Sequence, residues 1–155
     1  MWPDTTTGCA ALAKTEIASG MDIQTLDFDQ TTSEGAQWSM VLPRNWNNGT
    51  MTFEVIWTAA SGTGTVTWSI QAKALSNDDA LSIAYGTAQS VTDTLITAND
   101  VHISPTSAAL TIGNTPADSD FLHFSITRDV ADTLNADAKL LCVCLHFTLD
   151  AAVAA

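Results

Sequence analysis

From about residue 23 onward, apolar and polar side chains alternate with a period of two, the pattern of strands that bury one face. Trp38, Met40 and Leu42 alternate with Gln37, Ser39 and Val41. Met51, Phe53, Val55, Trp57 and Ala59 alternate with Thr52, Glu54, Ile56 and Thr58. Beyond Ser61-Gly62-Thr63-Gly64, the residues Val66, Trp68, Ile70 and Ala72 alternate with Thr65, Thr67, Ser69 and Gln71. Glycine supplies the positive φ of a tight connection, so 51–59 and 65–72 read as a long hairpin. Further strands are expected at 23–29, 89–96, 101–112 (interrupted at Pro105), 121–128 and 138–149. A turn or two of helix is expected at 77–85, where Asn77 can cap and Asp78 and Asp79 fall in the first turn. About eight strands, joined by Gly, Pro, Asn and Asp clusters, predict an all-β, eight-stranded, jelly-roll-like sandwich. An immunoglobulin-like sandwich is the rival, but the Cys…Trp…Cys spacing is missing.

Residues 1–20 break the pattern. They are rich in Thr, Ala and Gly, and Trp2, Leu12 and Ile17 are their few large apolar side chains. They are expected to form an extended N-terminal arm ordered by docking on a neighbouring subunit, with 21–155 as the sandwich domain. The Ala-rich end, Ala151–Ala155, invites the same reading.

Composition narrows the function. Seventeen Asp and Glu against five Lys and Arg leave a net charge of −12 in 155 residues, although charged residues are only 14% of the chain. An apolar content of 46% separates it from a disordered acidic tail. Nucleic-acid affinity comes mainly from Lys and Arg neutralising phosphates, so such a partner is excluded, and anionic membrane surfaces are disfavoured. No apolar run approaches the roughly 20 residues that span a bilayer. The 23 Thr suit strands whose outer face is wet, because a β-branch favours the strand and a hydroxyl stays hydrated.

Few residues carry candidate chemistry. In Leu141-Cys142-Val143-Cys144-Leu145-His146-Phe147 the two cysteines and His146 share one strand face. They could seed a zinc site with Cys9, His102 or His123 as the fourth ligand, although C-x₂₋₄-C spacing is missing. The same face equally reads as a semi-polar sheet surface or a subunit contact. Disulfides are the third reading. Cys142 and Cys144 do not suit each other, being roughly 6.6 Å apart with parallel Cβ vectors, whereas Cys9 could reach either one in a neighbour. Trp38, Trp57 and Trp68 are in phase with buried faces, but Trp46 sits in the loop Pro43–Gly49. It either shields one end of the sandwich or stacks on a sugar ring or partner subunit. Asp27/Asp29, Asp78/Asp79 and Asp118/Asp120 lack EF-hand spacing and read as solvated turns before calcium ligands. Asn48-Gly49-Thr50 fits an N-glycosylation acceptor and, equally, a turn. No G-x-S-x-G elbow, H-E-x-x-H pair or phosphate-binding glycine loop occurs. The reading is a non-enzyme without a cofactor.

Several short phrases carry a resemblance. They include Leu26-Asp27-Phe28-Asp29, Ala36-Gln37, Leu42-Pro43 through Trp46 to Gly49-Thr50, and Phe53 through Trp57-Thr58-Ala59-Ala60-Ser61-Gly62. Asp78-Asp79-Ala80, Gly86 through Thr94, Arg128-Asp129-Val130 and Asp132-Thr133-Leu134 complete the set. Together, over Leu26 to Ala151, the chain resembles small structural proteins of tailed-bacteriophage virions. The resemblance implies a capsid decoration protein on the particle exterior, trimeric, contacting the major capsid protein or other virion proteins. Its acidity agrees with an exterior location, since packaged DNA would repel it. A collar, neck or tail-fibre component is the variant within that class, and a carbohydrate-binding module using Trp46 is the alternative from another.

Overall fold

The structure is a computed structural model and describes residues 1–17 and 20–151. Alternation produces strands and nothing else: among the described residues there are eleven strands and no helix. They are β1 (Trp2–Pro3), β2 (Ala13–Ile17), β3 (Met21–Phe28), β4 (Gly35–Val41), β5 (Thr52–Thr58) and β6 (Thr65–Leu75). Then follow β7 (Gln89–Thr94), β8 (His102–Ile103), β9 (Ile112–Gly113), β10 (Phe121–Arg128) and β11 (Ala138–His146). One sheet runs β1-β4-β10-β6-β7, with β9 parallel to the end of β6. The other runs β2-β3-β11-β5-β8. Setting aside the peripheral β1, β2 and β9, every connection except β6–β7 carries the chain from one sheet to the other. That is the strand order of a jelly roll.

Eight strands have five or more residues, as expected, but their membership differs. β2 was not foreseen, and 101–112 yields only β8 and β9. Pro105 lacks a donor. Around it two serine hydroxyls replace backbone acceptors: Val55 N–H donates to Ser104 Oγ and Phe53 N–H to Ser107 Oγ, each at 2.9 Å. The chain still follows β5, with Ser104 N–H on Val55 O and Ser107 N–H on Phe53 O. The expected helix at 77–85 is also absent. Asp79 takes the Ser76 N–H at 2.8 Å and Asp78 stands at φ 68°, so the segment turns back instead of winding on.

The expected hairpin of 51–59 with 65–72 is corrected too. β5 pairs with β11 and β8, while β6 pairs with β10 and β7, so the connection arches between the sheets. Alternation cannot separate the two cases, because both present one apolar face to the same core. Gly64 makes the arch close: it stands at φ +111°, and a Cβ there would lie 2.2 Å from Thr133 O.

Between the sheets, Trp57, Trp68, Phe28, Phe53 and Phe124 are fully buried, each contributing roughly 1.5–3 kcal/mol or more. Phe28 meets Trp68 edge-on at 5.0 Å, and Trp38 stacks on Phe124 at 4.8 Å. Trp57 Nε1 donates to Asp93 Oδ2 at 2.8 Å, tying the sheets together. Arg128 is 1% exposed and uses all its donors. Nε and Nη2 grip Asp132 at 2.9 and 3.0 Å, and the remaining N–H groups reach the carbonyls of Phe28, Leu134 and Ala136.

The N-terminal segment is extended and pairs along its length with its own sandwich. β1 pairs with β4, Cys9 N–H donates to Gly35 O, Ala10 N–H to Asp27 O, and β2 pairs with β3. The segment thus passes from the edge of one sheet to the edge of the other. Residues 18 and 19 of the expected arm, and 152–155 of the Ala-rich end, lie outside the described residues.

Candidate functional site

The outer face of the six-stranded sheet gathers aromatic and polar side chains in register. Antiparallel pairing sets directly opposed residues on one face. His123 therefore stands between Ser39 and Lys73, Phe121 between Val41 and Leu75, and Ser125 between Gln37 and Gln71. β1 extends this face by placing Trp2 opposite Gln37. Well before the first strand the alternation marks, Trp2 is 46% exposed, with its ring centroid 6.3 Å from that of His123.

Tyr85 enters from the connection between β6 and β7. Its hydroxyl lies 2.7 Å from His123 Nδ1, and the ring centroids are 5.9 Å apart. Lys73 anchors that connection: Nζ donates to Leu81 O at 2.7 Å and Ile83 O at 3.2 Å and sits 4.9 Å over the Tyr85 ring. Burial, and then the Lys73 charge, push His123 below the usual histidine range, so the ring is neutral near pH 7. Burial, and then Asp4, push the Tyr85 phenol up. When Tyr85 donates to Nδ1, the imidazole proton resides on Nε2; in the other tautomer Nδ1–H donates to the phenol oxygen. At the rim, Gln37 Nε2 donates to Asp4 Oδ2; the Asp4 carboxyl is lowered chiefly by the Thr6 backbone N–H. A hollow of about 310 Å³ adjoins this row, lined by Lys73, Leu75, Leu81, Phe121 and His123. Exposed rings beside hydroxyl, amide and imidazole groups suit a ligand with apolar faces and a polar rim.

The residues singled out from sequence lie elsewhere. Trp46 is 3% exposed, bridged to Leu149, and its Nε1 has no partner among the described residues. It lines a hollow of about 310 Å³ with Thr50, Met51, Leu110 and Ile112. It shields the end of the sandwich and offers no ring face for stacking. Cys9 is buried in the core, where burial and then Glu34 push its thiol up to about 12, so it does not reach out to a neighbour's cysteine. Cys142, Cys144 and His146 do share the outer face of the five-stranded sheet, opposite Ile56, Glu54 and Thr52. His146 Nε2 lies 3.4 Å from Glu54 Oε2. His102 is buried against Trp57 with Nε2 3.0 Å from Thr97 O, and His123 belongs to the other sheet. Among the described residues no three His, Cys, Asp or Glu side chains gather to hold a metal ion, so the zinc reading loses its ligands. The acidic turns spend their oxygens on the chain: Asp29 on Thr31 and Thr32, Asp120 on Ser76 and Ala117.

Trp2 and Tyr85 escaped the sequence reading. One lay in the expected arm and the other in the expected helix, and only cross-strand register brings them together.

No protein-family model matches the chain, and no curated protein matches it. Among solved structures it is similar to TmCBM61, a carbohydrate-binding module, in complex with beta-1,4-galactotriose. The identity is 12% and the TM-score 0.46, over 94% of this chain and 86% of that one.

Proposed function

We propose that this chain is a non-catalytic carbohydrate-binding module whose ligand lies across the outer face of the six-stranded sheet. The observation that carries the reading is the exposed Trp2 ring set beside the Tyr85–His123 pair. Sugar rings present C–H faces that pack on aromatic rings and hydroxyls that need nearby donors and acceptors. Gln37, Ser39, Gln71 and His123 supply those. The ligand is a neutral glycan. An acid group would meet a chain of net charge −12, and the Lys73 ammonium is already held by two carbonyls. Titrating neutral oligosaccharides by calorimetry tests this, with Trp2→Ala as the variant. Loss of about 1–2 kcal/mol, or roughly five- to thirtyfold in affinity, is expected. A silent glycan array, or unchanged affinity in Trp2→Ala, refutes it.

A virion structural role, with the trimer, shell contacts and exterior location that the resemblance implies, is the second reading. It is favoured by apolar side chains on the other sheet's outer face. Exposed Met21 and Val101 border an apolar hollow of about 120 Å³ with Ile23, Thr58 and Leu141, and Ile103 is exposed nearby. Cosedimentation with assembled phage shells tests it.

A further inference from the structure

β11 is paired on both sides only at its start. β3 leaves it after the Leu140–Leu26 pair, a bulge follows at Leu141, and β5 alone continues to His146. Among the described residues nothing pairs with the other side of Leu141–His146. The groups facing that side follow from the ladder. Phe53 and Val55 turn their N–H and C=O toward Ser104 and Ser107, away from β11. Alternation then directs those of Thr52, Glu54 and Ile56 toward His146, Cys144 and Cys142. Val143 and Leu145 are left aiming their N–H and C=O groups at the open side.

This edge lacks the guards that edge strands normally carry. Between Leu140 and Phe147 there is no Lys, Arg, Asp, Glu or Pro. Other edges are short or charged: β1 has two residues, one of them Pro3, β8 has two, β7 carries Asp93, and β2 carries Lys14 paired with Asp22. Beside the open edge runs a cleft of about 310 Å³ lined by Met1, Leu12, Leu26, Trp38, Leu141 and Val143. Charge selects the occupant. With 17 acids against five bases, two copies repel wherever carboxylates meet. The β11 edge is a carboxylate-free strip, and the nearest outer-face acid, Glu54, is engaged by Thr106 at 2.6 Å and His146 at 3.4 Å. A second copy can approach here without that repulsion.

We propose that β11 of one copy pairs antiparallel with β11 of a second copy about a two-fold axis at Cys144, continuing the five-stranded sheet across a dimer. Val143 exchanges hydrogen bonds with the partner's Leu145. Cys144 faces the partner's Cys144 as a non-hydrogen-bonded pair, with Cα atoms about 4.5 Å apart and within disulfide reach. The contact is isologous and therefore closes. It involves the sheet opposite the glycan face, so either proposal stands without the other.

Sedimentation of the full chain over a concentration series tests it, with two variants checked for folding by circular dichroism and melting. Val143→Pro removes an edge N–H and leaves the β5 ladder intact. Cys144→Lys sets two ammonium groups face to face. A reversible dimer is expected, with its dissociation constant raised at least about tenfold by each variant. Should Val143→Pro fail to fold, Cys144→Lys carries the test. Oxidation with copper–phenanthroline should link copies of Cys142→Ser and leave Cys144→Ser unlinked. A monomer at about 100 μM, a trimer, a dimer indifferent to a folded variant, or linkage through Cys142 overturns the proposal.

Discussion

Asp132→Ala is expected to cost about 4 kcal/mol, because it strands a cation inside the sandwich. The Arg128 and Asp132 side chains are 0% and 1% exposed, and two of the guanidinium's five N–H bonds end on that carboxylate. Truncation leaves three carbonyl contacts and no counter-charge. Removing one partner of a buried pair costs about 3–5 kcal/mol, against a typical total stability of about 5–15. Asp132 also accepts from the Thr67 and Leu134 N–H groups, at 3.2 and 3.1 Å, which keeps the expectation above the lower end of that range. In urea, with a slope near ~2 kcal/mol/M, the midpoint should fall by ~2 M at constant slope. The double variant Arg128→Met/Asp132→Leu should recover at least about half the loss, since no charge is then left buried. A midpoint shift below ~0.5 M for Asp132→Ala, or a double variant no better than the single, would refute the reasoning.

Gly64→Ala should destabilise by about 2 kcal/mol or more, read as a lower melting temperature, because its Cβ meets Thr133 O and its φ stays positive. His123 is depressed below 6.5 in the fold, so the unfolded chain binds the proton more readily. Its contribution is present above pH 6.5 and is lost as pH falls below it; His123→Gln should flatten that part of the urea-midpoint profile. Ellman's reagent should titrate Cys142 and Cys144 in the native protein and Cys9 only on unfolding, and early reaction of a third thiol would contradict the burial of Cys9.

Architecture was legible because burial on one face imposes a period of two, and β6 follows it almost throughout. Partner choice was not. The glycines of 61–64 announce a reversal, but whether it stays in one sheet depends on Thr133–Ala136, some seventy residues later. Ser104 and Ser107 look like loop residues and serve as ladder acceptors, a role that only their position beside β5 creates. The candidate site was least legible. Trp2 has no strand-like neighbours of its own and gains a face only by lying opposite Gln37. Trp46 looked prominent because its loop hid how far the chain folds over it. The shared face of Cys142, Cys144 and His146 was legible, since it follows from spacing alone and survives the bulge at Leu141.

The serine substitution along β5 also governs how far assembly can go. By occupying the N–H groups of Phe53 and Val55 with side-chain oxygens, Ser104 and Ser107 seal one flank of the five-stranded sheet against further strands. A sheet open on one flank and sealed on the other ends growth after a single pairing. Replacing both serines by alanine would leave two donors unpaired beneath the 104–107 backbone, which still follows β5, so the expected product is a less stable sandwich that remains limited to a pair.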